Sequence, residues 1–186
     1  SAASDVYKRQ AMNDYETAAL VAGGHTFGKS HGAASESYKG PDPEASKLQD
    51  QSTGWNSGYK SGKGVDTISS GIEGAWTQNP IKWDMGYLDC LYGHEWELTK
   101  SPAGAHQWTP KKNGQEIKMV PDAHKKGVLH PPMMQTTDIS MKVDPSYGPI
   151  TKHFHQNPKE FHDAFARAWF KFCLLYTSPS PRDDEL

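Results

Sequence analysis

Leu20-Val21-Ala22-Gly23-Gly24-His25-Thr26-Phe27-Gly28-Lys29-Ser30-His31-Gly32 joins a short apolar helix to two glycines, one histidine and a basic, hydroxyl-rich turn. The glycines remove side chains where a flat molecule could approach the backbone. The imidazole of His25 offers a nitrogen lone pair to a metal. Lys29, Ser30 and His31 could hold acidic groups at the edge of such a molecule. Taken alone, a histidine on a helix beside glycines is more often a packed or capping residue than a ligand.

The helix before it has its own start signal. Asn13 is an N-cap, and Glu16 three residues on is its reciprocal partner. Ala18, Ala19, Leu20 and Val21 follow, and Gly23-Gly24 weaken or end the helix. Downstream, Ala34 to Gly64 is rich in Gly, Ser and Pro and reads as loop. Asp66 to Trp76 reads as a turn followed by a short helix or strand. Trp83, Tyr87, Leu88 and Leu91 have helical spacing within Trp83–Trp96. Lys100 to Pro132 carries Lys-Lys pairs and five prolines, and reads as a second long polar loop. Met133 to Asp144 reads as a short ordered element. In the last helix, Asn157 is the N-cap, Pro158 takes the first helical position and Glu160 closes a capping box. Phe161, Phe165, Ala168 and Trp169 form its apolar face, which Phe172 continues. No internal repeat is visible, and the pattern is mostly helical with little strand.

The two ends read differently from the middle. Residues 1–10 (SAASDVYKRQ) match the translation of a sequencing adapter, and residues 173–186, from CLLYTSPSPRD onward, its opposite-strand counterpart. The expectation is therefore that residues 1–10 and 173–186 are artefact and that 11–172 are genuine. On that view the terminal Asp-Asp-Glu-Leu is no retention signal, and Cys173 is no disulfide partner for Cys90. The net charge of −2 falls to −1 without the ends, which gives no electrostatic case for nucleic acid or an anionic membrane. A single cysteine in the middle fits a reducing compartment and excludes an internal disulfide framework. No apolar run approaches a membrane span. Eleven per cent aromatic residues, six of them tryptophan, imply an aromatic core beneath polar loops.

Other metal and phosphate readings are weak. His25 and His31 are six apart, off the one-turn spacing of zinc ligands, with no cysteine nearby. His153-x-His155 precedes a capped helix and reads as a solvated pair. Gly58 to Gly64 (GYKSGKG) is too short for a phosphate loop and has Gly64 where Ser or Thr is required.

Long blocks then carry a resemblance. Ala18 to Gly32, Gly40-Pro41-Asp42-Pro43-Glu44-Ala45, Asp66 to Glu73 (DTISSGIE), Pro80-Ile81-Lys82-Trp83-Asp84 and Leu91 to Ala105 (LYGHEWELTKSPAGA) occur in the order found in catalase-peroxidases, as do Thr136-Thr137-Asp138-Ile139-Ser140 and Val143-Asp144-Pro145. The chain resembles this family, within the class I haem peroxidases, over essentially all of 11–172. The resemblance implies an all-α, haem-dependent (plant-type) peroxidase fold, of which this is the proximal half with long loops. It implies haem b as cofactor, with His25 as the proximal ligand of the iron. Asp138 would accept a hydrogen bond from the other ring nitrogen of His25, and Trp76 would be the proximal tryptophan bonded to the same aspartate. Lys29, Ser30, His31 and Ser70 match positions around the haem edge and its access channel. Tyr59, Trp55 and Trp83 read as packing rather than as electron relays.

The implied substrates are hydrogen peroxide and small organic electron donors, and the implied full-length parent is a cytoplasmic homodimer. The distal histidine, arginine and tryptophan of the family would lie upstream, and the methionine of its crosslinked Trp-Tyr-Met group would fall at position 10, where Gln10 stands. The chain alone is thus expected not to turn over peroxide. Two alternatives stay open: a smaller class I peroxidase of ascorbate or cytochrome c type, and a haem-less structural copy of the peroxidase fold. The long loops argue against the first, and the intact set of His25, Trp76 and Asp138 against the second.

Overall fold

Helix α1 (Asp14–Gly24) opens on the anticipated reciprocal cap. The Glu16 N–H donates to Asn13 Oδ1 at 2.8 Å, and the Asn13 N–H donates to Glu16 Oε2 at 2.9 Å. The computed structural model describes residues 12–175 apart from 33, 51–53, 55, 69–70 and 113–116. Within them, α1 is followed by α2 (Gly86–Gly93), β1 (Trp96–Lys100), β2 (His106–Pro110), β3 (Val120–Pro121), β4 (Leu129–His130), α3 (Thr136–Val143), α4 (Tyr147–Gln156) and α5 (Pro158–Leu175). The structure is mostly helical, but two antiparallel hairpins, β1–β2 and β3–β4, qualify the all-α expectation.

The chain divides into two units: residues up to Gly24 together with those from Ser140 onward, and His25–Ile139. In the first unit α1 packs against α4 and α5. Ala18, Ala19 and Ala22 are small and buried, so the helices approach closely. At Gly23 the approach is closest, since a Cβ there would enter the ring of Phe165. Phe154 and Phe161 fill the core, with Tyr15 edge-on to Phe154 at 4.6 Å. Lys171 of α5 donates to Glu16 Oε2 at 2.9 Å.

Three features of this unit differ from what its sequence suggests. Helix α4 was not anticipated; Gly148 and Pro149 sit in its first turn. It places His153 and His155 on a helix, off the strand spacing that a His-x-His metal pair needs. Asn157 does not form a capping box with Glu160. Its side-chain amide instead donates to the His153 carbonyl at 2.9 Å, closing α4, while Glu160 pairs with His153 Nε2 at 2.7 Å. On α5 the buried face is Phe161, Ala164 and Ala168, and Trp169 is half exposed.

In the second unit, β1 pairs with β2 in the register Trp96↔Pro110 to Lys100↔His106. The supposed loop from Lys100 to Pro132 therefore contains a paired strand at His106–Pro110, and β3 and β4 add a two-residue ladder. Trp108 of β2 exchanges main-chain bonds with Met134 at 2.7 and 2.9 Å. The Met133 N–H donates to Ala75 O at 3.0 Å, and Ser30 exchanges bonds with Gly74, both at 2.9 Å. This mesh fixes four distant segments side by side: Ser30, Gly74–Ala75, Trp108 and Met133–Met134. Among the described residues of 66–76 there is no helix beyond the end of a single-turn 3-10 element at Gly64–Asp66, and Gly74 (φ 126°) takes a conformation that suits glycine. The helix anticipated within Trp83–Trp96 is shorter, and Trp96 instead starts β1. Tyr87, Leu88 and Leu91 are buried as their spacing predicts.

Candidate functional site

His25 follows directly on α1, in a turn held by the Gly28 N–H donating to Pro80 O at 2.7 Å. Trp76 stands beside it because Gly74 and Ala75 are pinned on one side by Ser30 and on the other by Met133. Asp138 comes from the first turn of α3, where its Oδ2 accepts the Gln135 N–H at 2.7 Å. It is a helix cap, and it is also the centre of the site.

Four donors converge on this one carboxylate, which is fully buried. Oδ2 also accepts the Trp76 indole N–H at 2.8 Å, while Oδ1 accepts from His25 Nδ1 at 2.7 Å and from the Tyr87 hydroxyl at 2.8 Å. A buried carboxylate is tolerated only when its lone pairs are engaged, and these are. The carboxylate can only accept, so the His25 proton resides on Nδ1. That leaves the Nε2 lone pair of the neutral ring without a hydrogen-bond partner among the described residues. The ring is also fixed sideways. It stacks on Trp76 with centroids 4.2 Å apart and planes 14° from parallel, and Tyr87 meets it edge-on at 5.7 Å.

Tyr87 was read only as a core residue. Its place in a helical apolar row gave no sign of a hydrogen bond, since the row marks a buried face and not the partner beneath it. Burial, then the charge of Asp138 and the hydrogen bond to it, hold the phenol well above its ordinary pKa. Its hydroxyl therefore remains a donor. Gly86, just before it, has its N–H on Asp84 Oδ1 at 2.8 Å, which anchors the first turn of α2.

Two of the other expected edge residues, Lys29 and His31, meet on one carboxylate in the same unit. Lys29 Nζ lies 3.1 Å from Glu73 Oε1, and His31 Nδ1 lies 2.7 Å from Glu73 Oε2. His31 Nε2 faces Val65 O at 2.9 Å. Glu73 is itself held by Gln107, whose amide exchanges two bonds with its main chain, both at 2.9 Å. The acid that Lys29 and His31 meet is thus one from this chain. Ser30 contributes its backbone pairing with Gly74. Ser70 and Trp55 lie outside the described residues. Tyr59 packs edge-on to Tyr38 at 5.2 Å, and Trp83 packs near Phe27 at 5.8 Å. Cys90 and Cys173 are both free thiols, and burial raises the Cys90 thiol to about 11, which makes it inert.

Among the described residues no group of three or more His, Cys, Asp or Glu side chains could chelate a metal. The donor set at His25 is a single imidazole nitrogen backed by a carboxylate. It would fit a metal whose other ligands come mainly from a macrocycle, as in haem, where one protein nitrogen is enough. No helix among the described residues is long and apolar enough to cross a membrane.

No model of a protein family matches the chain. It is 58% identical over 179 residues to the catalase-peroxidase of Koribacter versatilis, covering 96% of this chain and 24% of that protein. It is 59% identical over 178 residues to the catalase-peroxidase of Maridesulfovibrio salexigens, with the same shares covered. With the catalase-peroxidase of Rhizobium rhizogenes the identity is 53% over 189 residues, 98% of this chain and 26% of that one. These matches run past residues 11–172 into both flanks. The chain is homologous to a segment of the catalase-peroxidases and spans about a quarter of the length of these relatives.

Proposed function

We propose that the parent protein is a bifunctional haem catalase-peroxidase and that this chain supplies its proximal pocket. Hydrogen peroxide and small organic donors would be its substrates, and the parent would be a cytoplasmic homodimer. One observation carries the reading: a stacked, aspartate-bound imidazole whose second nitrogen is unengaged among the described residues. Bound haem b would supply the iron at which peroxide is reduced and donors are oxidised.

The chain's own residues have separate tasks. His25 would hold the iron through Nε2. Asp138 keeps the proton on Nδ1 and pulls it toward Oδ1, which makes the imidazole more electron-rich. Such a ligand favours the ferric over the ferrous state. Trp76 holds the carboxylate from its other oxygen and packs against the ring, and its indole is oxidisable. Lys29, Ser30, His31 and Ser70 would lie toward the edge of the cofactor, where an acidic group would share Lys29 and His31 with Glu73. The proton shuttling that breaks the O–O bond needs distal groups that this reading places upstream.

The visible spectrum of the full-length parent tests the proposal. A Soret band that is lost or shifted in His25→Gly is expected. A folded parent with no Soret band would instead favour the haem-less structural copy of the fold.

A further inference from the structure

We propose that Tyr87 is a positioning residue that tunes how strongly His25 donates electrons, by sharing Asp138 Oδ1 with it. The inference rests on the reading that His25 holds a haem iron.

The two oxygens of Asp138 are not equivalent. Oδ2 faces the Trp76 indole and the Gln135 main-chain N–H, which are fixed by the backbone mesh and by the start of α3. Oδ1 is divided between His25 Nδ1 at 2.7 Å and the Tyr87 hydroxyl at 2.8 Å. Two donors on one oxygen compete for its negative charge. Charge drawn toward the phenol is withdrawn from the bond that polarises Nδ1–H, so the imidazole is less anionic than Asp138 alone would make it. The phenol cannot turn away. Tyr87 is 1% exposed, its ring lies edge-on to His25, and its hydroxyl makes no other hydrogen bond among the described residues.

The direction of the effect follows. In Tyr87→Phe, Oδ1 has one donor left, the bond to Nδ1 strengthens and the ligand becomes more electron-rich. The ferric state gains stability, so the ferric/ferrous potential falls. The iron–histidine bond stiffens, and its stretching band in the ferrous protein moves to higher frequency. A residue that only fills space would move neither reading.

The experiment uses the full-length haem-loaded parent with three changes: Tyr87→Phe, Tyr87 replaced by 3-fluorotyrosine, and Asp138→Asn. The more acidic fluorinated phenol is a stronger donor of nearly the same size, so it should raise the potential and lower the band. It also carries the test if the phenylalanine variant fails to fold. Opposite shifts for the two Tyr87 changes are the expected result. Unmoved potential and band at both, or shifts of the same sign, would overturn the assignment while an upward shift in Asp138→Asn leaves the proximal reading standing. If Asp138→Asn also moves neither reading, the proximal reading falls and takes the Tyr87 assignment with it.

Discussion

Asp138 binds four donors with no solvent contact, so its replacement acts on stability and chemistry at once. In Asp138→Ala, each donor left unpaired costs about 1–3 kcal/mol. Urea unfolding should show the loss, and an unchanged midpoint would mean that water replaces the carboxylate. Asp138→Asn keeps the volume but weakens acceptance from Nδ1, so the ferric/ferrous potential of the loaded parent should rise. Trp76→Phe keeps the stacking and removes one neutral donor to a charged acceptor, a loss of about 1.5–3 kcal/mol by the same measurement. Legibility at this scale was uneven. His25, Trp76 and Asp138 lie 51 and 62 positions apart along the chain, so spacing alone could not join them, and the matched blocks did. Tyr87 was hidden because a residue in an apolar row gives no sign that its far end is polar and occupied. Lys29 and His31 were legible as cations, but not their partner Glu73, which is brought to them by Gln107 from β2.

At the scale of elements, α1 is held by a cap, a close approach and an ion pair, each of which can be removed separately. Asn13→Ala removes the side-chain half of the reciprocal cap, the acceptor of the Glu16 N–H, and should cost about 1 kcal/mol. Gly23→Ala drives a methyl into Phe165 and should cost about 1–3 kcal/mol, more than the helix gains from alanine. Burial raises the Glu16 carboxyl, but the Lys171 hydrogen bond, the Asn13 N–H and the Lys171 charge outweigh it, so its pKa is lowered in the fold. A depressed carboxyl contributes stability above its unfolded value and loses it as the pH falls through its folded one. Comparing the melting temperature with that of Lys171→Met should therefore show a gap at neutral pH that closes in the acid range below the ordinary glutamate value. A gap independent of pH would assign the effect to packing of the lysine stem. Helix α1 was readable because its cap, apolar run and terminating glycines are local. Strands β1 and β2 were not. Their partners are Met134 and each other, and the run from Lys100 to Pro132 has the lysines and prolines of a loop. Helix α4 was missed for the converse reason, since Gly148 is buried there and Pro149 occupies a first-turn position where no N–H is needed.

In the whole molecule this chain would form one side of the proposed cofactor site. Purified residues 11–172 should show no catalase turnover by oxygen release, and clear turnover would contradict the assignment of the distal groups to upstream sequence. The ends make a separate prediction: the parent gene, read again from intact DNA, should differ from this chain at residues 1–10 and 173–186. Reads that keep SAASDVYKRQ and CLLYTSPSPRD would show those segments to be native. The central claim is that His25 is the iron ligand. Its most direct test is the iron–histidine stretching band of the ferrous full-length parent, by resonance Raman, in wild type and in His25→Gly with and without added imidazole. A band in the wild type is expected, with its loss in His25→Gly and its return when imidazole fills the vacated space beside Asp138. A band that survives in His25→Gly without imidazole would contradict the claim.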